Sequence, residues 1–111
     1  MDYNLIPTDK FKKEAKRLIR KYPSLKTELF NLTSILSKDP FTGISLGNNT
    51  FKIRLAIKSK ASGKSGGARL ITYVIHEDRN VYLLTIYDKA EFDTIMDKTL
   101  KALVDTIKNK S

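Results

Sequence analysis

The chain begins with a short apolar run, Tyr3-Asn4-Leu5-Ile6, stopped by Pro7, which predicts a brief edge strand. Phe11, Ala15, Leu18, Ile19 and Tyr22 then recur at helical spacing and form one apolar stripe. Thr8 or Asp9 can cap the start of this helix, and Pro23 ends it. A second stripe, Leu25, Leu29, Leu32, Ile35 and Leu36, has Ser24 as its expected cap and Asp39-Pro40 as its stop. Two amphipathic helices separated by one tight break predict a helical hairpin.

From Phe51 the period changes from about 3.6 to 2. Phe51, Ile53, Leu55 and Ile57 alternate with Lys52, Arg54, Ala56 and Lys58, so one strand face is apolar and the other strongly cationic. Ala68 to Ile75 and Val81 to Tyr87 are apolar on both faces, as central strands are. The basic segment Ser59 to Gly67 joins the first two strands, and His76 to Asn80 makes a polar turn between the last two. After Asp88 the helical period returns through Phe92, Ile95, Met96, Leu100, Leu103, Val104 and Ile107, with Asp88 and Glu91 spaced as a capping box. The expected fold is α+β: a short N-terminal strand, a helical hairpin, a three-stranded antiparallel sheet and a C-terminal helix, in one domain spanning 1–111.

Charge adds a functional dimension. The 111 residues carry 21 Lys+Arg against 12 Asp+Glu, a formal +9. The excess is uneven. Residues 1–38 hold 9 basic and 4 acidic side chains, 39–75 hold 6 and 1, and 76–111 hold 6 and 7. A basic body suits a polyanionic partner, because each neutralised phosphate releases counterions. There is no cysteine, which excludes a disulfide framework and thiolate metal ligation. The opening Met-Asp-Tyr-Asn lacks the charge and apolar run of a signal peptide, and no stretch approaches membrane-spanning length, so the expected location is the cytoplasm and no membrane partner is expected.

Several constellations suggest chemistry. Gly63-Lys64-Ser65 resembles part of a phosphate-binding loop, but Lys58 stands where its first glycine belongs and the segment joins two strands, which excludes that motif. Either the segment is a flexible hairpin tip, or it is a basic finger whose Lys60 and Lys64, with Lys58, grip an RNA backbone. His76, the single histidine, sits in a polar turn, and without a second histidine or a cysteine no zinc site is expected. Asp78, Asp88, Glu91 and Asp93 read as turn and cap residues rather than as ligands of a metal pair. Lys52, Arg54 and Lys58 form either a solvated strand face or, with Arg69 opening the neighbouring strand and Lys89 following the strand after that, a converging cationic set. Such a set lowers the pKa of a lysine and presents charge to phosphate. RNA cleavage is then possible without metal or cofactor: a neutral lysine takes the 2′-OH proton, arginines hold the phosphorane charge and another donor protonates the 5′-oxygen. Tyr73, Tyr82 and Tyr87 are either core residues or site residues, with Tyr87 the one expected at the site because it ends its strand beside Lys89.

The residues Lys52-Ile53-Arg54-Leu55-Ala56, Gly63-Lys64-Ser65-Gly66-Gly67-Ala68-Arg69 and Val81-Tyr82-Leu83-Leu84-Thr85-Ile86-Tyr87-Asp88-Lys89 resemble the RelE/ParE superfamily of toxins, especially its HigB-like branch. The resemblance is dense over 51–91 and elsewhere concerns the arrangement of elements. It implies the toxin of a type II toxin–antitoxin pair, a ribosome-dependent endoribonuclease that cuts messenger RNA and thereby inhibits translation. It also implies a cognate antitoxin. Lys52 and Arg54 match the strand that supplies catalytic cations, Arg69 matches the phosphate-binding arginine, and Lys89 matches the basic residue beyond the last strand. Met96 and Ala90 stand where RelE has a tyrosine and a further arginine, which leaves the general acid open between Tyr87 and another donor. Two rival readings share the fold: a non-catalytic poison that binds DNA gyrase, as in the ParE branch, and an RNA- or ribosome-binding module without activity.

Overall fold

The computed structural model describes residues 2–58, 66–91 and 95–109. Eight elements follow in the order β1 (Asn4–Pro7), α1 (Asp9–Lys21), α2 (Leu25–Lys38), β2 (Ile44–Gly47), β3 (Thr50–Leu55), β4 (Ala68–Ile75), β5 (Asn80–Asp88) and α3 (Asp97–Lys108). The strands form one sheet in the order β1-β5-β4-β3-β2. The expected α+β architecture is present, with one strand more than the apolar pattern reveals.

Alternation of side chains across the sheet produces two cores. Ile53, Leu55, Leu70 and Ile86 pack with Phe11, Leu18, Leu25 and Leu36, which places α1 and α2 on one face. Ile71, Tyr73, Leu84 and Tyr87 pack with Leu100 and Val104, which places α3 on the other. The apolar positions of both helical stripes are therefore those that meet the sheet. β4 is buried along nearly its whole length because helices cover it from both sides.

Local signals explain most boundaries. The Thr8 hydroxyl accepts the Phe11 amide and caps α1, as its position suggested. Ser24 precedes α2 but already has helical dihedrals and makes no side-chain cap bond, because capping geometry requires an extended residue there. β1 is an edge strand, as expected, and pairs parallel with β5. Where β1 ends at Pro7, Glu14 of α1 continues the edge. Its carboxylate accepts the Thr85 hydroxyl at 2.6 Å and the Ile86 amide at 3.3 Å. Lys10 pairs with the second carboxylate oxygen at 3.0 Å.

Two expectations need correction. The apolar pattern does not announce β2, because Ile44-Ser45-Leu46-Gly47 is only four residues long and three of the four are exposed. The available signal was Asn48-Asn49, both left-handed at φ 53° and 64°, a pair suited to the tight hairpin between β2 and β3. The final helix begins at Asp97, not near the apparent capping box at Asp88 and Glu91. Asp88 instead completes β5, and Glu91 pairs with Arg17 of α1. Phe92 and Asp93 lie outside the described residues.

Gly67 governs how the central strands meet. A Cβ there would lie 2.0 Å from the Leu55 carbonyl oxygen and 3.1 Å from the Ile57 nitrogen, so only glycine lets the start of β4 close on the end of β3. We predict that Gly67→Ala destabilises the fold by about 2–3 kcal/mol through this overpacking. A fall in the urea midpoint measures it, and an unchanged midpoint contradicts the close approach.

Candidate functional site

Strand register assembles the cationic residues. Arg54 stands opposite Arg69, and Arg69 opposite Tyr87, so the three form one row across β3, β4 and β5. Lys52 opposes Ile71, which in turn opposes Thr85. Ile71 and Tyr87 belong to the core beneath α3, so Lys52, Arg54 and Arg69 share that face. Like charges placed directly opposite across a ladder destabilise a sheet. A polyanion bound over the row would offset that repulsion.

Burial separates the members of the set. Arg54 is exposed, and Lys52 and Lys89 are partly exposed. Arg69 is only 3% exposed, and its Nη1 donates to the Ala68 carbonyl at 3.0 Å. Tyr87 is 1% exposed in the cluster formed with Leu100 and Val104. Tyr87 was expected to reach the site; it is buried in the cluster with α3 instead, beside Arg69 in the cross-strand register. Tyr73 and Tyr82 lie on the same side of the sheet, with ring centroids 6.4 Å apart. Lys58 is exposed just beyond β3, whereas Lys60 and Lys64 lie outside the described residues.

Lys89 is held by the backbone rather than by its side chain. Its amide donates to the Gly67 carbonyl at 3.0 Å, which ties the end of β5 to the start of β4. The adjoining turn is fastened to α1. The Asp88 carboxylate, 2% exposed, accepts the Tyr22 hydroxyl at 3.2 Å and the Ala90 amide at 3.0 Å. Arg17 reaches Glu91 at 3.0 Å, and this hydrogen bond and charge hold its guanidinium pKa above the ordinary value. Tyr22, Asp88, Arg17 and Glu91 are thus the supporting shell of Lys89. Sequence periodicity missed this use of Asp88 and Glu91, since their spacing imitates a helix start.

The side chains of Lys52, Arg54 and Lys89 make no hydrogen bond or ion pair with another described residue. β2 begins at Ile44, opposite Lys52, so β3 beyond that point borders a groove of about 360 Å³ between it and α2. Lys52 and Arg54 both line it. Among the described residues no group of three His, Asp or Glu side chains could hold a metal ion. His76 is exposed in its turn, where its Nδ1 meets the Tyr3 hydroxyl. No helix among the described residues is long and apolar enough to cross a membrane.

The arrangement is that of a RelE-like α+β fold carrying a cationic sheet face. No family model matches the chain. Among solved structures it is similar to a double-arginine mutant of the E. coli toxin RelE in the free state. The two are 21% identical, the match covers 96% of this chain and 99% of that one, and the TM-score is 0.59. At this identity the likeness establishes the shared fold.

Tyr22→Phe removes one hydrogen bond from the buried Asp88 carboxyl and should lower stability by about 1–2 kcal/mol. Thermal unfolding of the two proteins measures this. An unchanged midpoint would mean that the bond does not hold the Lys89 turn.

Proposed function

We propose that this protein is the toxin of a type II toxin–antitoxin pair and acts as a ribosome-dependent endoribonuclease of the HigB-like kind, cutting messenger RNA without metal. The observation that carries this reading is the cross-strand row Arg54–Arg69–Tyr87, with Lys52 and Lys89 beside it, on a RelE-like sheet. Lys52 takes the proton from the attacking 2′-OH. Arg54 holds the charge that develops on the phosphorane, and Arg69 adds positive potential from beneath. Lys89, whose backbone is fixed at the end of β5, protonates the departing 5′-oxygen. Tyr87 supports Arg69 from below rather than touching the substrate.

Lys52, Arg54 and Lys89 have the access that RNA contact requires. Lys58 extends the same charge beyond β3, and the basic segment with Lys60 and Lys64 continues it in sequence. This small set of groups suits a message already positioned by the ribosome, where orientation supplies much of the rate. The antitoxin partner is an acidic, partly disordered segment that folds over the cationic face and excludes RNA.

Inducible expression in bacteria tests the assignment, with growth followed and messenger RNA ends mapped. The wild type should arrest growth and leave cuts within translated codons. Lys52→Ala/Arg54→Ala should lower cleavage by about 10²–10⁴-fold through loss of proton transfer and charge stabilisation. Arrest by both proteins with intact message would replace this reading with a gyrase-directed poison, and no arrest by either would leave a basic binding module.

A further inference from the structure

The sheet face does not use the most densely charged element of the molecule. α1 carries seven basic side chains in thirteen residues: Lys10, Lys12, Lys13, Lys16, Arg17, Arg20 and Lys21. Two of these are matched by acids, Lys10 by Glu14 and Arg17 by Glu91. Lys12, Lys13, Lys16 and Arg20 are all exposed and have no ion pair among the described residues. At 100° per residue, Lys13, Lys16 and Arg20 fall within about 60° of one another around the axis, and Lys12 flanks them. They point away from Phe11, Ala15 and Leu18, which are buried against the sheet. Of the acids of α1, Glu14 is turned to β5, and Asp9 stands at the N-terminal end of the ridge, in the first turn, leaving Lys13, Lys16 and Arg20 as an uninterrupted cationic stretch beyond it.

We infer that the outward ridge of α1 is a second docking surface, for the phosphate backbone of folded, base-paired RNA. It lies behind the sheet face that carries Lys52 and Arg54, because α1 packs on the opposite core. One RNA segment bound at the row therefore cannot fill both sites, and the ridge takes a separate one. The choice of RNA as the polymer rests on the function proposed above; the ridge itself needs no catalysis. Charge complementarity identifies the occupant. A row of cations spaced about one helical turn apart, about 5 Å, neutralises phosphates without reading bases. A membrane surface fits poorly, since an interfacial helix inserts its apolar face and the apolar face of α1 is already spent in the core. A protein partner would need apolar anchors, and none of the exposed large hydrophobic residues, Phe30, Ile35, Phe41, Ile44 and Met96, lies on α1.

The test measures binding of a short RNA duplex to the full chain across a salt series. The cleavage-impaired Lys52→Ala/Arg54→Ala protein serves as the parent, so binding is read apart from cutting. Adding Lys12→Gln, Lys13→Gln, Lys16→Gln and Arg20→Gln should weaken binding at least tenfold near 0.1 M salt. It should also reduce the slope of log affinity against log salt by about 3–4, one for each phosphate released. The corresponding variant with the three lysines changed to arginine should bind like the parent, which separates charge from packing. Exposed substitutions to Gln leave the fold intact, and circular dichroism melting checks that they do. Equal affinity and slope for parent and Gln variant would overturn the inference, as would tighter binding to anionic phospholipid vesicles than to the duplex. If expressed wild type leaves message uncut while the ridge still governs duplex binding, the cleavage reading fails and the ridge stands.

Discussion

The close approach of Gly67 to the Leu55 carbonyl is the contact on which the candidate site depends. It brings the beginning of β4 hard against the end of β3, and the Gly67 carbonyl then receives the Lys89 amide from the far side. Three strands are joined at one residue. Their pairing sets Arg54, Arg69 and Tyr87 in a single row. A slip of one residue would send each of these side chains to the opposite face, where α1 and α2 pack. The register therefore decides both which residues form the core and which meet a ligand. An irregularity in the β4–β5 pairing leaves Leu84 without a cross-strand partner between the pairs Ile71–Thr85 and Thr72–Leu83, a bulge that shifts the phase of β5 at mid-sheet.

Helix α1 works in three directions at once. Its inner stripe fills the core beneath β5, and Glu14 supplies the acceptor that β5 lacks once β1 has ended. Through Arg17 and Tyr22 it also holds the turn that presents Lys89. These jobs consume one side of the helix and leave the other, beyond Asp9 in the first turn, as a cationic ridge. The molecule thus shows positive charge on both sides of its sheet.

Much of the architecture was legible along the chain. The stripe from Phe11 to Tyr22 and that from Leu25 to Leu36 became α1 and α2, since helical spacing and proline stops are local and depend on no partner. The alternation from Phe51 identified β3 and its cationic face for the same reason. β2 was not legible, because an exposed edge strand such as Ile44–Gly47 is held by its neighbour's backbone and needs no apolar pattern of its own. The helix expected after Asp88 starts late because Asp88 and Glu91 are recruited by Tyr22 and Arg17, partners about seventy residues away in sequence.

The cations of the candidate site were nameable in the chain, yet their standing was not. Composition and periodicity alone determined that this is a basic α+β chain with Lys52 and Arg54 on one strand face, Arg69 on a strand that could adjoin it and Lys89 just beyond the next. Tertiary structure decided that Arg54 and Arg69 face each other, that Lys52, Arg54 and Lys89 remain open to a ligand, and that Tyr87 lies beneath α3. The reason is physical. Periodicity is fixed by the local geometry of helix and strand, whereas exposure and cross-strand neighbours follow from register and from the helix that covers each face, and both are set by contacts between residues far apart in the chain.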